Sequence, residues 1–437
     1  MQTYCTTQQT LFVALDIGKN VNWLAAYEGL ALKEVISPLK VRSNRAGFEQ
    51  VTGLLDALLQ CGRYQQVVLG HEPTGVYHLA WGRALADRYQ AHREGEAAPP
   101  LDYRFVNPLA TKKQREAQAN GRQRKTDPAD LRAMALCLRN GQGQPAFLPT
   151  GQELHFQLWG RRYRQTETDR RHLATLILSQ LDHLWPGALV NRQRFQAMHP
   201  ELETPLPLVA SKPLERKRLQ AILSHCPDPH QLLALGQDGI ESFLRTHVGR
   251  CGPKTARHVY RLLQNALLPP PKVAALLADY LQADWQRYLT LAQRIQTLHQ
   301  QAEQLVPDSP AAVLTTIPGV SPFLAARYLA YLGHAQRFLT PAQIWAFAGF
   351  DLVTEESGDF RRIGTITKKG EPGLRDTLFM IGFHTARHIP ALARLKQRAK
   401  NRGLGHVGAT IHVAQKANRI CHYLLFHQCP FDPHKLA

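Results

Sequence analysis

Residues Leu11-Phe12-Val13-Ala14-Leu15 form an unbroken apolar run that ends on Asp16 and is bounded by Gly18. A strand apolar on both faces must be buried on both, so structure has to cover it above and below. Val21–Tyr27 and Leu39-Lys40-Val41 fit further strands of a meander, and Val67-Val68-Leu69-Gly70 is a second buried strand. Ala46–Leu59 carries Phe48, Val51, Leu54, Leu55 and Leu58 at helical spacing, and Leu79–Tyr89 reads as a second helix. Phe105-Val106 is a candidate third core strand. This order predicts a mixed α/β layered domain over residues 1–150.

The rest of the chain reads as helical. Over 151–312, Leu173, Leu176, Ile177, Leu181 and Leu184 mark one helix. Ala274–Leu305 marks a longer one with Leu277, Leu281, Tyr288, Leu291, Ile295, Leu298 and Leu305 near seam positions, the pattern of a coiled-coil or bundle arm. Pro205, Pro207 and Pro213 on one side and Pro269-Pro270-Pro271 on the other bound an inserted helical module, about 205–270. The block 313–437 is mainly α. Ile317-Pro318-Gly319-Val320-Ser321 precedes an apolar helix over Phe323–Leu332, with further helices at Pro341–Ala348, Leu374–His388 and Ile411–Phe426. A loop rich in Gly, Lys and Arg is expected from Glu355 to Gly373.

With 53 Lys+Arg against 34 Asp+Glu in 437 residues, the formal net charge is +19. Such a balance points to a polyanion, nucleic acid before an anionic membrane surface. The seven cysteines are scattered without a Cys-x-x-Cys pair, which argues against a disulfide framework and a structural zinc site. No apolar run reaches the ~18 residues of a membrane span. The polar start Met1–Thr10 lacks the order of a signal peptide, so a cytoplasmic protein, nucleoid-associated when active, is expected. The absence of Gly-x-x-x-x-Gly-Lys-Ser/Thr argues against a Walker-type ATPase.

Four carboxylates stand where they can do chemistry. Asp16 ends the first strand, Glu72 follows another buried strand, and Asp127 and Asp130 lie three apart at a helix start. Carboxylates at strand ends and on a neighbouring helix can gather two divalent metals. Oxygen ligands suit Mg²⁺, and two ions about 3.5–4 Å apart stabilise attacking and leaving oxygens. A plainer reading stands beside this one. Asp127-Pro128-Ala129-Asp130 also makes a good helix start, with Asp127 as N-cap, Pro128 at N1 and an acid at N3. Asp16 and Glu72 are each compatible with an ordinary turn.

Cations gather nearby. Lys112, Lys113, Arg115, Arg122, Arg124 and Lys125 fall between Thr111 and Lys125 with Glu116 as the one acid, which reads as a basic loop. Ile317-Pro318-Gly319-Val320 resembles a helix-hairpin-helix turn, whose backbone N–H groups hold a nucleic-acid phosphate, and Val248–Thr255 is a looser second example. An ordinary αα turn explains each equally well. Ser357, in Glu355-Glu356-Ser357-Gly358, is followed by Arg361, Arg362, Lys368, Lys369 and Arg375. An exposed serine among cations is a candidate nucleophile at a phosphate, and also a common solvated turn.

The joint order of these motifs is more specific than any one of them. Ala-Leu-Asp16-Ile-Gly-Lys, Glu72-Pro-Thr-Gly-Val-Tyr, Lys-Thr-Asp127-Pro-Ala-Asp130, Ile-Pro-Gly-Val, Phe-Ala-Gly349-Phe and Glu-Ser357-Gly occur in sequence. Together they resemble the DEDD transposases of bacterial insertion sequences (the one-ten family and its sister subgroup), the bridge-RNA-guided recombinases. The resemblance covers about 11–150 and 313–437. It implies a RuvC-like, RNase H-type N-terminal domain with Asp16, Glu72, Asp127 and Asp130 as the Mg²⁺-binding tetrad, and no organic cofactor. It implies a C-terminal transposase domain with Ser357 as nucleophile, acting through a phosphoserine intermediate. Its implied partners are a structured bridge RNA, donor and target double-stranded DNA, and copies of the chain in dimers and tetramers whose subunits share a composite site. The middle region, with its Pro-bounded insertion, is longer than in compact members of that family, and Asp359 places a negative charge two residues after the serine. Two other classes fit the residues alone: a metal-dependent junction nuclease without serine chemistry, and a non-catalytic nucleic-acid-binding protein.

Overall fold

The computed structural model describes residues 9–436 apart from 74, 119–125, 204–206, 210, 250 and 358–359; along 353–365 and at 436 side chains are left out. The chain forms two compact units, Met1–Leu148 and Pro149–Ala437.

The first unit opens with the expected meander, β1 (Thr10–Ile17), β2 (Val21–Glu28) and β3 (Lys33–Arg42). It continues through α1 (Arg45–Gln60), β4 (Gln66–His71), α2 (Tyr77–Arg88), α3 (Gln90–Glu94) and β5 (Leu101–Phe105). It closes with α4 (Pro108–Gln118), α5 (Asp127–Arg139) and the short β6 (Gln144–Pro145). The sheet order is β3-β2-β1-β4-β5-β6, with β1, β4 and β5 parallel and the other pairs antiparallel. Strand alternation sends β1 into two cores. Leu11, Val13 and Leu15 pack with Val51 and Leu55 of α1 and Leu85 of α2. Phe12 and Ala14 pack on the opposite face with Leu131, Met134 and Leu138 of α5.

Two local expectations are corrected here. Val106 lies just beyond β5. The stretch expected as a basic loop begins as a helix, because Asn107 Oδ1 accepts from the Leu109 N–H at 2.9 Å and Pro108 takes the first turn. Lys112, Lys113 and Arg115 therefore project from α4, whereas Arg122, Arg124 and Lys125 lie outside the described residues.

The second unit contains two cores joined by a pair of long helices, α6 (Gly151–Leu184) and a later partner. After α6 come α7 (Arg192–Met198), α8 (Lys217–His225), α9 (Pro229–Ala234), α10 (Gly236–Val248) and α11 (Pro253–Asn265), then that partner, α12 (Pro271–Leu305). The unit is completed by α13 (Pro322–Leu332), α14 (Pro341–Phe347), β7 (Leu352–Ser357), β8 (Phe360–Ile366), α15 (Pro372–His388), α16 (Pro390–Asn401) and α17 (His406–His427). α6 and α12 run antiparallel: Trp159 Nε1 donates to the Leu298 carbonyl at 3.0 Å, and Gln180 Nε2 to Asp284 Oδ2 at 3.0 Å. At one end Ile177 and Leu181 meet Leu281 and Trp285 together with the buried faces of α8–α11. At the other, Phe156 and Trp159 meet Leu298 and Ala302 together with α13, α15 and α17.

The segment 355–373 is not the loop expected from its composition. β7 and β8 pair as an antiparallel hairpin with Ser357 opposite Phe360. α16 was not anticipated either. Among the described residues, no helix is long and apolar enough to cross a membrane. α15 and α17 approach closely at Gly382, where an added Cβ would sit 2.7 Å from the Ala414 nitrogen. Gly382→Ala should therefore cost about 1–3 kcal/mol through overpacking. A denaturant-midpoint shift of the transition that melts this unit measures it, and an unchanged midpoint would show that the two helices separate freely.

Candidate functional site

The chain leaves β1 toward β2 and β3 on one side, then crosses through α1 to β4 on the other. In open α/β sheets ligands bind outside the carboxyl ends of the strands, at such a reversal of order. Leu15 of β1 pairs with His71 of β4, so Asp16 and Glu72 reach the same level at the carboxyl ends of adjacent parallel strands. Alternation also fixes their side of the sheet. Phe12 and Ala14 face α5, and Asp16 continues that series. Val68 belongs to the same core, and Gly70 lies against Leu138 of α5, which carries Glu72 to the same face. The Cys137 thiol on α5, pushed up to about 11 by burial and then by the negative charge of Glu72, reports that proximity.

His71 behaves as the packing residue of the two sequence readings. It is fully buried, its Nδ1 lies 3.0 Å from the Glu72 carbonyl oxygen, and its ring sits among His78, Tyr103 and Phe105. Burial lowers its pKa to about 4, so the ring is neutral near pH 7.

At the start of α5 the cap differs from expectation. Thr126, with extended backbone at φ −138 and ψ 148, is the N-cap, and its Oγ1 accepts from the Ala129 N–H at 3.4 Å. Asp127 is thereby the first helical residue, and Asp127 and Asp130 both fall in the first turn, where negative charge suits the helix dipole. Asp127 is exposed; Asp130 is largely covered and forms an ion pair with Arg115 of α4. On the same helix Lys112 lies 3.8 Å from Glu116, and Lys113 lines a cavity of about 520 Å³ with Pro73, Asn107 and Gln144. α4 thus places cations beside the turn that follows Glu72.

Four carboxylates without a thiolate or imidazole are the donor set of a hard divalent cation, so the chemistry of the residues fits one. Their arrangement is open. The structure brings Asp16 level with Glu72, and Asp127 onto one turn with Asp130. Among the described residues no three His, Cys, Asp or Glu side chains converge closely enough to hold a metal ion.

In the second unit Ser357 is the last residue of β7, beside the hairpin tip. Its side chain and those of Arg361 and Arg362, together with residues 358–359 including Asp359, lie outside what the structure describes. Lys368 and Lys369 are exposed just past β8. Arg375 has a structural role: its Nη1 donates to the Ala348 carbonyl at 2.9 Å and reaches the Lys368 carbonyl at 3.4 Å, bracing the hairpin base. Gly319 sits at φ +92, and a Cβ there would meet His388 at 2.7 Å and the His384 carbonyl at 3.0 Å. That turn is packed against α15. Reasoning from sequence missed Arg115 as the partner of Asp130, since fifteen residues separate them with no periodic signal between.

Comparison with known proteins fits this picture. A family model described as the IS116/IS110/IS902 transposase family matches residues 311–397, and a DEDD-type IS110 transposase model matches 13–186. A Streptomyces coelicolor protein named as the mini-circle transposase for IS117 is 25% identical over 337 residues, 75% of this chain and 76% of its own length. A protein named as a family 20 transposase from Pseudomonas aeruginosa is 30% identical over 173 residues, covering 39% of this chain and 47% of its own. The 43.6 kDa protein of insertion element IS110 from Streptomyces coelicolor is 25% identical over 224 residues, 50% of this chain and 53% of its own.

The contact between α4 and α5 can be weighed directly. Combining Arg115→Ala with Asp130→Ala in a double-mutant cycle should give a coupling of about 1 kcal/mol in unfolding free energy. Zero coupling would mean that the pair contributes nothing to joining the two helices.

Proposed function

The chain belongs to the IS110/IS116/IS902 family of insertion-sequence DNA transposases, and from that premise we propose that it is an RNA-guided recombinase joining DNA through Ser357. The observation that supports this reading most is the placement of Asp16 and Glu72 at one level, on the sheet face that α5 covers. In this reading the first unit is a RuvC-like, RNase H-type domain, consistent with a three-strand antiparallel meander followed by parallel strands. Asp16, Glu72, Asp127 and Asp130 would hold Mg²⁺, two ions per site, and the metal would supply charge neutralisation at a scissile phosphate.

The protein's own groups then divide the work. Ser357 Oγ attacks phosphorus; a bond from phosphorus to one deoxyribose oxygen breaks as the Oγ–P bond forms, and the serine proton leaves with the departing hydroxyl. Rejoining is the reverse reaction with the hydroxyl of a different strand, so no external energy source is needed. Lys368 and Lys369, with Arg361 and Arg362 following the serine in sequence, are the cations proposed to neutralise the phosphate. Lys112, Lys113 and Arg115 on α4, with Arg122, Arg124 and Lys125 after it and Gly319 in its turn, are proposed nucleic-acid contacts. A structured bridge RNA, donor and target duplexes, and dimers and tetramers of the chain complete the proposal, with the cytoplasm as its place of action. The net charge of +19 supports holding two kinds of nucleic acid at once.

Ser357→Ala should abolish covalent protein–DNA adducts, read as slow-migrating species on denaturing gels, together with strand exchange. Cleavage that survives this change without any adduct would identify a metal-dependent nuclease instead. Asp16→Ala should lower strand exchange by roughly 10²-fold or more, the scale of removing one group that stabilises the transition state. RNA recovered with the purified protein should be one discrete structured species on sequencing, and a random cellular mixture would remove RNA guidance from the reading.

A further inference from the structure

The inserted module between α6 and α12 takes no part in the chemistry above, yet it holds a cavity lined by three cations. This cavity, about 480 Å³, lies between the start of α8 and the α10–α11 turn. Arg216, Lys217 and Arg218 line it on one side and Cys251 and Thr255 on the other, and among the described residues its wall holds no carboxylate and no aromatic ring. Arg216 also donates to Ser211 and Arg218 to the Leu208 carbonyl, which leaves Lys217 as the cation without such a tie. The acids nearby are already engaged: Glu241 accepts from Arg245 at 2.5 Å, and Glu215 pairs with Lys212 at 3.2 Å. The cationic surface continues along α11, where Lys254, Arg257 and Arg261 are exposed at i, i+3 and i+7, one face of the helix.

Of the two glycines in the turn, Gly249 at φ +88 shares the positive φ of Gly319, whereas Gly252 differs in kind. Gly252 has φ −98, which any residue adopts, and a Cβ placed there meets nothing within 4 Å. Neither backbone conformation nor packing within the chain requires glycine at 252. Pro253 carries no N–H and the Thr255 N–H donates to the Gly252 carbonyl at 2.9 Å, so the missing side chain at 252 leaves the Lys254 N–H accessible to an approaching group.

We propose that this cavity and the exposed face of α11 form a docking surface for the phosphate backbone of double-stranded DNA. Point cations and backbone N–H groups read phosphates and not bases. Among the described residues, the wall lacks the aromatic platforms on which single strands and RNA loops stack. A DNA transposase has a duplex to hold away from the reacting phosphates, and the module supplies a place to hold it.

The test uses the full chain and two labelled probes, a short duplex of arbitrary sequence and a structured RNA hairpin, titrated separately over a range of salt. The double substitution Lys217→Glu with Lys254→Glu should weaken duplex binding by roughly tenfold or more and reduce the log–log salt slope by about 0.9 for each phosphate no longer held. Gly252→Val should leave the unfolding midpoint in place and still weaken duplex binding several-fold, because only backbone access is blocked. Unchanged duplex affinity in both variants overturns the proposal. So does a weakening confined to the RNA hairpin, which would make the surface an RNA-binding one. If the charge reversals unfold the module, seen as a drop in helical circular dichroism, Gly252→Val alone decides.

Discussion

The burial of β1 on both faces is the constraint on which the first unit depends. Odd-numbered residues of the strand serve the core under α1 and α2, and even-numbered ones serve the core under α5. A slip of one residue would exchange Leu15 with Asp16 and drive a carboxylate into apolar packing, at a cost of several kcal/mol. Hydrophobic burial thus fixes where Asp16 points. The same economy operates on β4. Leu138 packs so tightly on Gly70 that a Cβ there would come within 2.6 Å of it, and that contact draws α5 down onto the strand that delivers Glu72.

In the second unit the organising element is the antiparallel pair α6 and α12. Each helix contributes one end to each of two cores, so neither core is complete without both helices. The chain leaves α6 at Leu184 and returns to α12 at Pro271, at the same end of the pair. An insertion at that point separates neither helix from its partner, and the cost of a longer connection between adjacent ends grows only slowly with its length. A module of this kind can be added without disturbing the packing of Phe156 and Trp159 at the far end.

What was legible in the sequence follows the same physics. The buried strands and the long helices were visible because apolar periodicity is a local record of burial. The α4 helix was hidden by its three cations and the three that follow it in sequence: six Lys and Arg between 112 and 125 resemble a solvated loop, whereas Asn107 and Pro108 signal a helix start. The hairpin at 352–366 was hidden in a similar way, since its pairing requires a partner strand that composition does not reveal. The first half of α6, ahead of the apolar positions from Leu173 that marked the helix, holds Gly160, which allows a close approach, with a Cβ position 2.6 Å from Ala330. Asp16 and Glu72 could be proposed as a pair from sequence, but their shared level needed the β1–β4 register. The Arg115–Asp130 pair needed the packing of α4 on α5.

The excess charge also has to be apportioned before it is read as affinity for a polyanion. Several arginines serve as internal clamps. Arg104 Nη1 donates to the Gly143 carbonyl at 2.7 Å, and Arg375 braces the hairpin base. Arg327 pairs with Asp376 while lying over the Tyr163 ring at 5.3 Å. A planar guanidinium with several directed donors suits such positions, whereas a strongly hydrated ammonium stays at the surface. Lys113, Lys217, Lys254, Lys368 and Lys369 are all exposed, and none of their ammonium groups takes part in these clamps. In this chain these exposed lysines are therefore cations that the fold itself leaves unused. The formal charge of +19 counts arginines whose hydrogen-bonding capacity the fold has already used, so fewer cations face nucleic acid than the total implies.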